Sequence, residues 1–285
     1  MSNKVKAYFQ LLKFRLSFTV AFSSAIGFIL GRLGASYAEV ALVMLGGLLV
    51  TGSANIINQI IEKDLDKMMK RTAKRPLPTG KISVAEAAIY SAFLGVAGLA
   101  VLALTFNVLT AVLSLISLIL YGFVYTPLKR ISPICVFIGA IPGGLPPMIG
   151  WVAATGVISV EAWILFGIQF IWQFPHFWAI AWVLDDDYKK AGFKMLPMAG
   201  GKNLKTAIQI MIYTLVLIPL SLLPLQFGMT GTTSAFVAVI CGVLFLAQTF
   251  YLMRTCSKKA AMNIMFGSFL YLPIVQIAFV LDKLT

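Results

Sequence analysis

The feature that most constrains this chain is a series of long apolar runs. Each is close to the roughly 20 residues an α-helix needs to cross a hydrocarbon layer. They fall near 16–34, 39–61, 83–104, 107–126, 133–154, 161–183, 205–226, 232–253 and 262–281. The runs are continuous rather than alternating, so helices are expected and barrel strands are not. Only 12% of the residues are charged, about half the share of a soluble domain, which excludes an ordinary soluble fold. The expected class is all-α, a single polytopic domain over 1–285 with nine transmembrane helices.

A formal net charge of +13 would suit nucleic acid. The cations, however, sit in the breaks between apolar runs, where they set topology and attract anionic lipid. The lipid bilayer is the expected partner, and nucleic acid is not. With the N-terminus inside, all but Arg32 and Lys283 of the 23 lysines and arginines fall on the inner side. One span more or fewer would scramble that sorting, so it supports the count of nine and a cytoplasmic N-terminus in the cell (inner) membrane. The stretch leading to Arg15 is basic and runs into a full-length span without a small-residue cleavage site, so no signal peptide is expected. Cys135, Cys241 and Cys256 lack metal-type spacing and predict neither disulfides nor a zinc site. The inner connections 62–82 and 184–204 are long and charged, while the outer ones near 105, 156 and 228 are short and nearly uncharged. Function is therefore expected at the inner face.

The second span ends in Asn58, Glu62 and Asp66, spaced four apart, which puts three oxygen-bearing side chains on one helix face. Like charges at that spacing repel, and a hard divalent cation such as magnesium would compensate them together with substrate phosphates. A solvated acidic helix end would explain the charges alone. It would not explain Asn58 among apolar residues at membrane depth, where polar groups are costly. Asp64 points elsewhere on the turn. Arg71 and Arg75 follow, with Pro76, Pro78 and Gly80 stiffening and turning the loop, and arginine forks suit phosphate oxygens.

The sixth span ends in Asp185, Asp186 and Asp187 followed by Tyr188, a second cation site opposite the first or an ordinary polar terminus. Two acidic clusters at the inner face would clamp metal around one diphosphate and neutralise it as a leaving group. His176, the only histidine, lies inside the same span. A lone histidine is either a structural donor or a functional group, and one chain with one histidine cannot supply bis-histidine ligation of a haem. Tyr125, Lys129 and Arg130 form a third inner segment that either contacts phosphate or marks the inner side. The run Gly139 to Pro147 holds so many breakers that the fifth helix is expected to unwind or kink there, as a wall of the substrate chamber.

Asn58-x3-Glu62-x3-Asp66 with Arg71-Thr72 and Arg75-Pro76-Leu77 resembles the first motif of the UbiA-type intramembrane prenyltransferase superfamily, which usually has aspartate at the position of Glu62. Tyr125-Thr126 with Leu128-Lys129-Arg130, the Gly-Pro-rich stretch to Trp151, Pro175-His176-Phe177, and Asp187-Tyr188 through Met195-Leu196-Pro197 resemble the haem farnesyltransferase (haem O synthase) branch. The resemblance covers residues 10–285. It implies nine helices around a central cavity open to the cytoplasm, and transfer of farnesyl from farnesyl diphosphate to a vinyl group of haem b. It implies Mg2+ as cofactor, with Asn58, Glu62, Asp66, Asp185, Asp186 and Asp187 on the metal side. Arg71, Arg75, Lys129 and Arg130 would hold phosphate, with Tyr125, His176 and Tyr188 as further substrate contacts. His176 stands where quinone-pathway relatives carry an acid, which suggests a task tied to haem. Haem A synthase is a candidate partner downstream.

Two other functions fit parts of the pattern. A sister enzyme prenylating a quinone precursor shares the diphosphate site, but Pro175-His176-Phe177 and Asp187-Tyr188 argue against it. A secondary transporter fits the broken spans, yet its charged site would be expected near the bilayer midplane rather than at the inner face.

Overall fold

The computed structural model describes residues 3–197 and 201–284, which form helices and turns with no β-strand among them. In chain order the helices are α1 (Asn3–Leu11), α2 (Phe14–Gly31), α3 (Tyr37–Ile61), α4 (Lys63–Asp66), α5 (Val84–Thr105), α6 (Val108–Ile119), α7 (Thr126–Ile131), α8 (Cys135–Thr155), α9 (Val160–Lys190), α10 (Leu204–Leu220), α11 (Leu223–Gln226), α12 (Thr232–Thr255) and α13 (Lys258–Leu281). A π-helical turn, Leu120–Tyr125, joins α6 to α7. Nine stretches of the described residues are long and apolar enough to cross a membrane: α2, α3, α5, α6 through α7, α8, α9, α10 through α11, α12 and α13. The chain is thus an integral, multi-pass all-α protein. The sixth span is longer than expected, since α9 continues to Lys190 and carries the three aspartates on the helix itself.

Local sequence sets the ends. Ser36 with Glu39 and Ser83 with Glu86 form capping boxes that satisfy the first free N–H groups of α3 and α5. Asn107, Asn203 and Ser257 cap α6, α10 and α13 through their side chains.

Of the two outcomes expected for the Gly139 to Pro147 run, unwinding does not occur, and Gly139, Pro142 and Gly143 line the central cavity as a wall. Pro142, Pro146 and Pro147 all lie inside one continuous helix. Pro146 and Pro147 cannot donate to the carbonyls of Pro142 and Gly143, four residues back. Side chains of neighbouring helices take up those carbonyls instead. Ser117 Oγ donates to Pro142 O at 3.4 Å, and Gln169 Nε2 and Gln173 Nε2 donate to Gly143 O at 2.8 and 3.1 Å. Such replacement is how transmembrane helices tolerate proline.

The same helix crosses α2 at backbone contact. A Cβ on Gly27 would lie 1.9 Å from Pro147 O, and one on Gly150 would lie 1.8 Å from Ser24 O. Close approach through small residues replaces the hydrophobic drive that lipid removes. Helices α8 and α9 are the most buried spans, while α5, α10 and α12 mainly face outward. With α2, α3 and α13 they enclose a central cavity.

Candidate active site

The cavity measures about 630 Å³. Its basic end is lined by Lys13, Asn58, Glu62, Asp66, Arg71, Arg75, Tyr125, Lys129 and Tyr188, and its deeper part by Trp172, Gln173, His176, Phe177, Phe269 and Gln276, among others. The polar end begins where α3 stops. Glu62 caps α3 with φ −91° and ψ 6°, and the short α4 follows. The i to i−4 bonds nevertheless continue, from Glu62 N to Asn58 O at 3.0 Å and from Asp66 N to Glu62 O at 2.7 Å. This continuity keeps Asn58, Glu62 and Asp66 on one face despite the helix break. All three are buried, Asp66 completely so.

Each acid on that face has a cation. Lys129 Nζ lies 2.8 Å from Glu62 Oε1, and Arg75 Nη1 lies 2.8 Å from Asp66 Oδ2. The 62–82 connection folds back to make the second pair: Thr72 Oγ1 donates to Asp66 O at 2.8 Å, and Arg75 N donates to Thr72 O at 2.9 Å. Met69 and Leu77 anchor this loop by burial. Asn58 receives a hydrogen bond from Lys13 Nζ at 3.1 Å and donates through Nδ2 to Thr126 Oγ1 at 3.1 Å. Lys129 also lies 4.6 Å from the centroid of the Tyr125 ring, a cation–π contact.

Lys13 was not among the residues the sequence singled out, because a lysine ahead of the first span reads as a topology marker. In the structure its backbone is left-handed, with φ 46°, a strained conformation for a residue with a side chain. Burial, followed by the charges of Arg75 and Lys129, pushes its ammonium down to about 7. The glutamines were also missed. Ser23 Oγ donates to Gln276 Oε1 at 3.1 Å and Gln276 Nε2 to Gln169 Oε1 at 2.8 Å. With Gln169 on Gly143 O, this network joins α2, α13, α9 and α8 in the wall of the cavity. Three amides within apolar spans were the available signal.

The second acidic segment lies apart from the first. None of Asp185, Asp186 and Asp187 lines the cavity. Lys189 Nζ is 2.8 Å from Asp185 Oδ2, Lys202 Nζ is 3.2 Å from Asp186 Oδ1, and Lys190 Nζ is 3.5 Å from Asp187 Oδ1. Among the described residues no three His, Cys, Asp or Glu side chains come together as a metal cluster. In this structure the aspartates of α9 thus stand outside the cavity that the first segment lines. Lysines one helical turn along α9 and Lys202 in the following loop pair with these aspartates. Arg130 is exposed and outside the lining, Arg71 is exposed at the cavity mouth, and Asp64 turns outward to Lys67.

The first segment fits a hard cation. Asp66 Oδ1 is buried without a hydrogen-bond partner, and the donors on that face are carboxylate and amide oxygens. Lys129 and Arg75, which now neutralise the acids, are also the groups that would meet an anionic ligand.

Residues 20–272 match the UbiA prenyltransferase family. A protoheme IX farnesyltransferase of Cytophaga hutchinsonii is 59% identical over 100% of both chains. One of Christiangramia forsetii is 46% identical over 96% of this chain and 92% of its own. Among solved structures, a digeranylgeranylglyceryl phosphate synthase shares the fold with TM-score 0.81, 24% identity and 98% of each chain covered. A UbiA homologue from Archaeoglobus fulgidus bound to GPP and Mg2+ gives TM-score 0.68 at 18% identity, over 96% of this chain and 99% of that one. The chain belongs to the UbiA prenyltransferase family, in its protoheme IX farnesyltransferase group.

Proposed function

We propose that this chain transfers the farnesyl group of farnesyl diphosphate to a vinyl group of haem b, giving haem O and diphosphate. The observation that carries this reading is a buried set of paired acids and cations at one end of a cavity whose depth is mainly aromatic and apolar, with His176 and three glutamines among the lining. Such a cavity suits a substrate with a charged head and a long apolar tail. The names of its relatives point to the same reaction.

Asn58, Glu62 and Asp66 would hold Mg2+, which supplies neutralisation of the leaving diphosphate. Asp185, Asp186 and Asp187 would join that side only by exchanging their lysine partners. Arg75 and Lys129 would leave the acids and bind diphosphate oxygens, and Arg71 at the mouth would add a further fork. Arg130 would contribute from outside the cavity. As the allylic C–O bond breaks, the electron pair leaves with diphosphate. The vinyl carbon attacks the allylic cation, water adds to the neighbouring carbon, and one proton is released. Tyr125, Phe177 and the other aromatic walls exclude bulk water until the carbon–carbon bond has formed. The domain is the whole chain, set in the cell (inner) membrane with the basic end and the cavity mouth cytoplasmic. Haem A synthase is the proposed consumer of the product.

The test is turnover of haem b with farnesyl diphosphate by the purified protein in detergent, with and without Mg2+, read by product mass. Gain of the farnesyl and water masses only with metal is the expected result. Prenylation of 4-hydroxybenzoate with no haem product would move the chain to quinone chemistry.

A further inference from the structure

His176 lines the deep part of the cavity and is held by α13 in one orientation. Its Nδ1 lies 2.8 Å from Ser268 Oγ. Ser268 has a single hydroxyl hydrogen, and its Oγ sits 2.6 Å from the carbonyl oxygen of Met265, which can only accept. That hydrogen is committed to Met265. The contact with the imidazole is therefore made by Nδ1–H donating to Ser268 Oγ. This fixes the neutral ring in one tautomer, with the lone pair on Nε2.

The same serine positions a second ring. Trp172 Nε1 donates to Ser268 O at 3.0 Å, and the Trp172 ring stacks on His176 with centroids 4.4 Å apart and an interplanar angle of 17°. Phe269 meets the imidazole edge-on at 5.0 Å. A neutral imidazole fixed by a hydrogen bond at one nitrogen is the arrangement of a metal-ligating histidine. The surrounding rings suit a flat, apolar macrocycle. Among the described residues His176 has no carboxylate partner: its Nδ1 meets the Ser268 hydroxyl and its ring meets Trp172, Phe177 and Phe269.

We propose that His176 Nε2 binds the iron of the haem substrate as its axial ligand, and that Ser268 is a positioning residue that fixes the tautomer. This rests on the haem reading above. Ligation adds one coordinate bond from the Nε2 lone pair and moves no proton or electron. It would hold the macrocycle in one place relative to the diphosphate end, so that a particular vinyl group faces the cation.

The experiment adds ferrous haem b to the purified full chain in detergent and reads the iron–histidine stretching band by resonance Raman, without farnesyl diphosphate. The wild type is expected to show the band. His176→Ala should lose it and weaken haem binding about tenfold, and added imidazole should restore an iron–imidazole band in the haem that co-elutes with the protein after free haem is removed, which a misfolded variant that retains no haem would not give. Ser268→Ala should keep the band but shift it to lower frequency, because Nδ1–H loses its acceptor. An unchanged band in His176→Ala overturns the ligation. So does a wild type that lacks the band yet still farnesylates haem, and in that case the proposed function stands. A wild type that neither binds nor farnesylates haem overturns both.

Discussion

The acidic segment after α3 and the one at the end of α9 carry similar side chains at the ends of two spans, but their surroundings differ. Glu62 and Asp66 are 4% and 0% exposed, and their cations come from distant parts of the chain, Lys129 beyond α6 and Arg75 from a loop that folds back. Asp186 is open to solvent, whereas Asp185 is buried; the lysines beside Asp185 and Asp187 come from the same helix, three or four residues on, and Lys202 of the following loop also lies 3.4 Å from Asp185. Buried pairs are costly to make and costly to break, whereas exposed pairs one turn apart contribute little. The difference teaches that what separates two acidic helix ends is whether their side chains line an enclosed cavity. Asp66 lines the cavity and keeps Oδ1 without a hydrogen-bond partner, whereas Asp185, also buried, lies outside the lining with Oδ2 beside Lys189 and Lys202.

The largest test of this contrast is Asp66→Asn, which keeps the shape and removes the charge. Turnover is expected to fall by about 10³-fold, on the scale seen when one charge-stabilising group is lost, with the thermal unfolding midpoint retained. Near-normal kcat would show that enclosure does not make a metal site. Next, Lys129→Met leaves Glu62 buried without its cation, at a cost of about 3–5 kcal/mol. A lowered unfolding midpoint in detergent would register this cost, and the double change with Glu62→Gln should recover most of it. If the double variant is no better than the single one, the pair is not what holds this end together.

Arg75→Lys keeps the charge but loses the fork. It should raise KM for farnesyl diphosphate about tenfold, roughly 1.4 kcal/mol, with a smaller change in kcat. An unchanged KM would reduce Arg75 to a partner of Asp66. The smallest effect is expected for Asp186→Asn: activity within about threefold of wild type and a stability change of about 0–1 kcal/mol. A loss as severe as that of Asp66→Asn would break the comparison, because it would mean that the end of α9 turns inward once substrate binds.

Much of the architecture was legible in the residues. The lengths of the apolar runs and the sorting of lysine and arginine pointed to nine spans, with edges close to those observed except where the fourth and sixth run on to Ile131 and Lys190. The spacing of Asn58, Glu62 and Asp66 gave a shared face that survives the break at Glu62. These readings hold because span length and helical periodicity are local, and lipid leaves the backbone few alternatives. The fate of Gly139 to Pro147 was not local. Whether α8 breaks depended on Ser117, Gln169 and Gln173 from other helices meeting the freed carbonyls.

Lys13 and Ser268 show the same limit. Nothing beside Lys13 in the chain announces Asn58, which lies 45 positions away, and Ser268 meets His176 across 92 positions. The sequence by itself determined the solvent, the number of spans, the face of the first motif and the family. Only the tertiary structure decided which acids are enclosed, which cations neutralise them and which nitrogen of His176 keeps its lone pair. The physical reason is that burial and hydrogen-bond partnership belong to the packing of several helices, and no single helix carries that information.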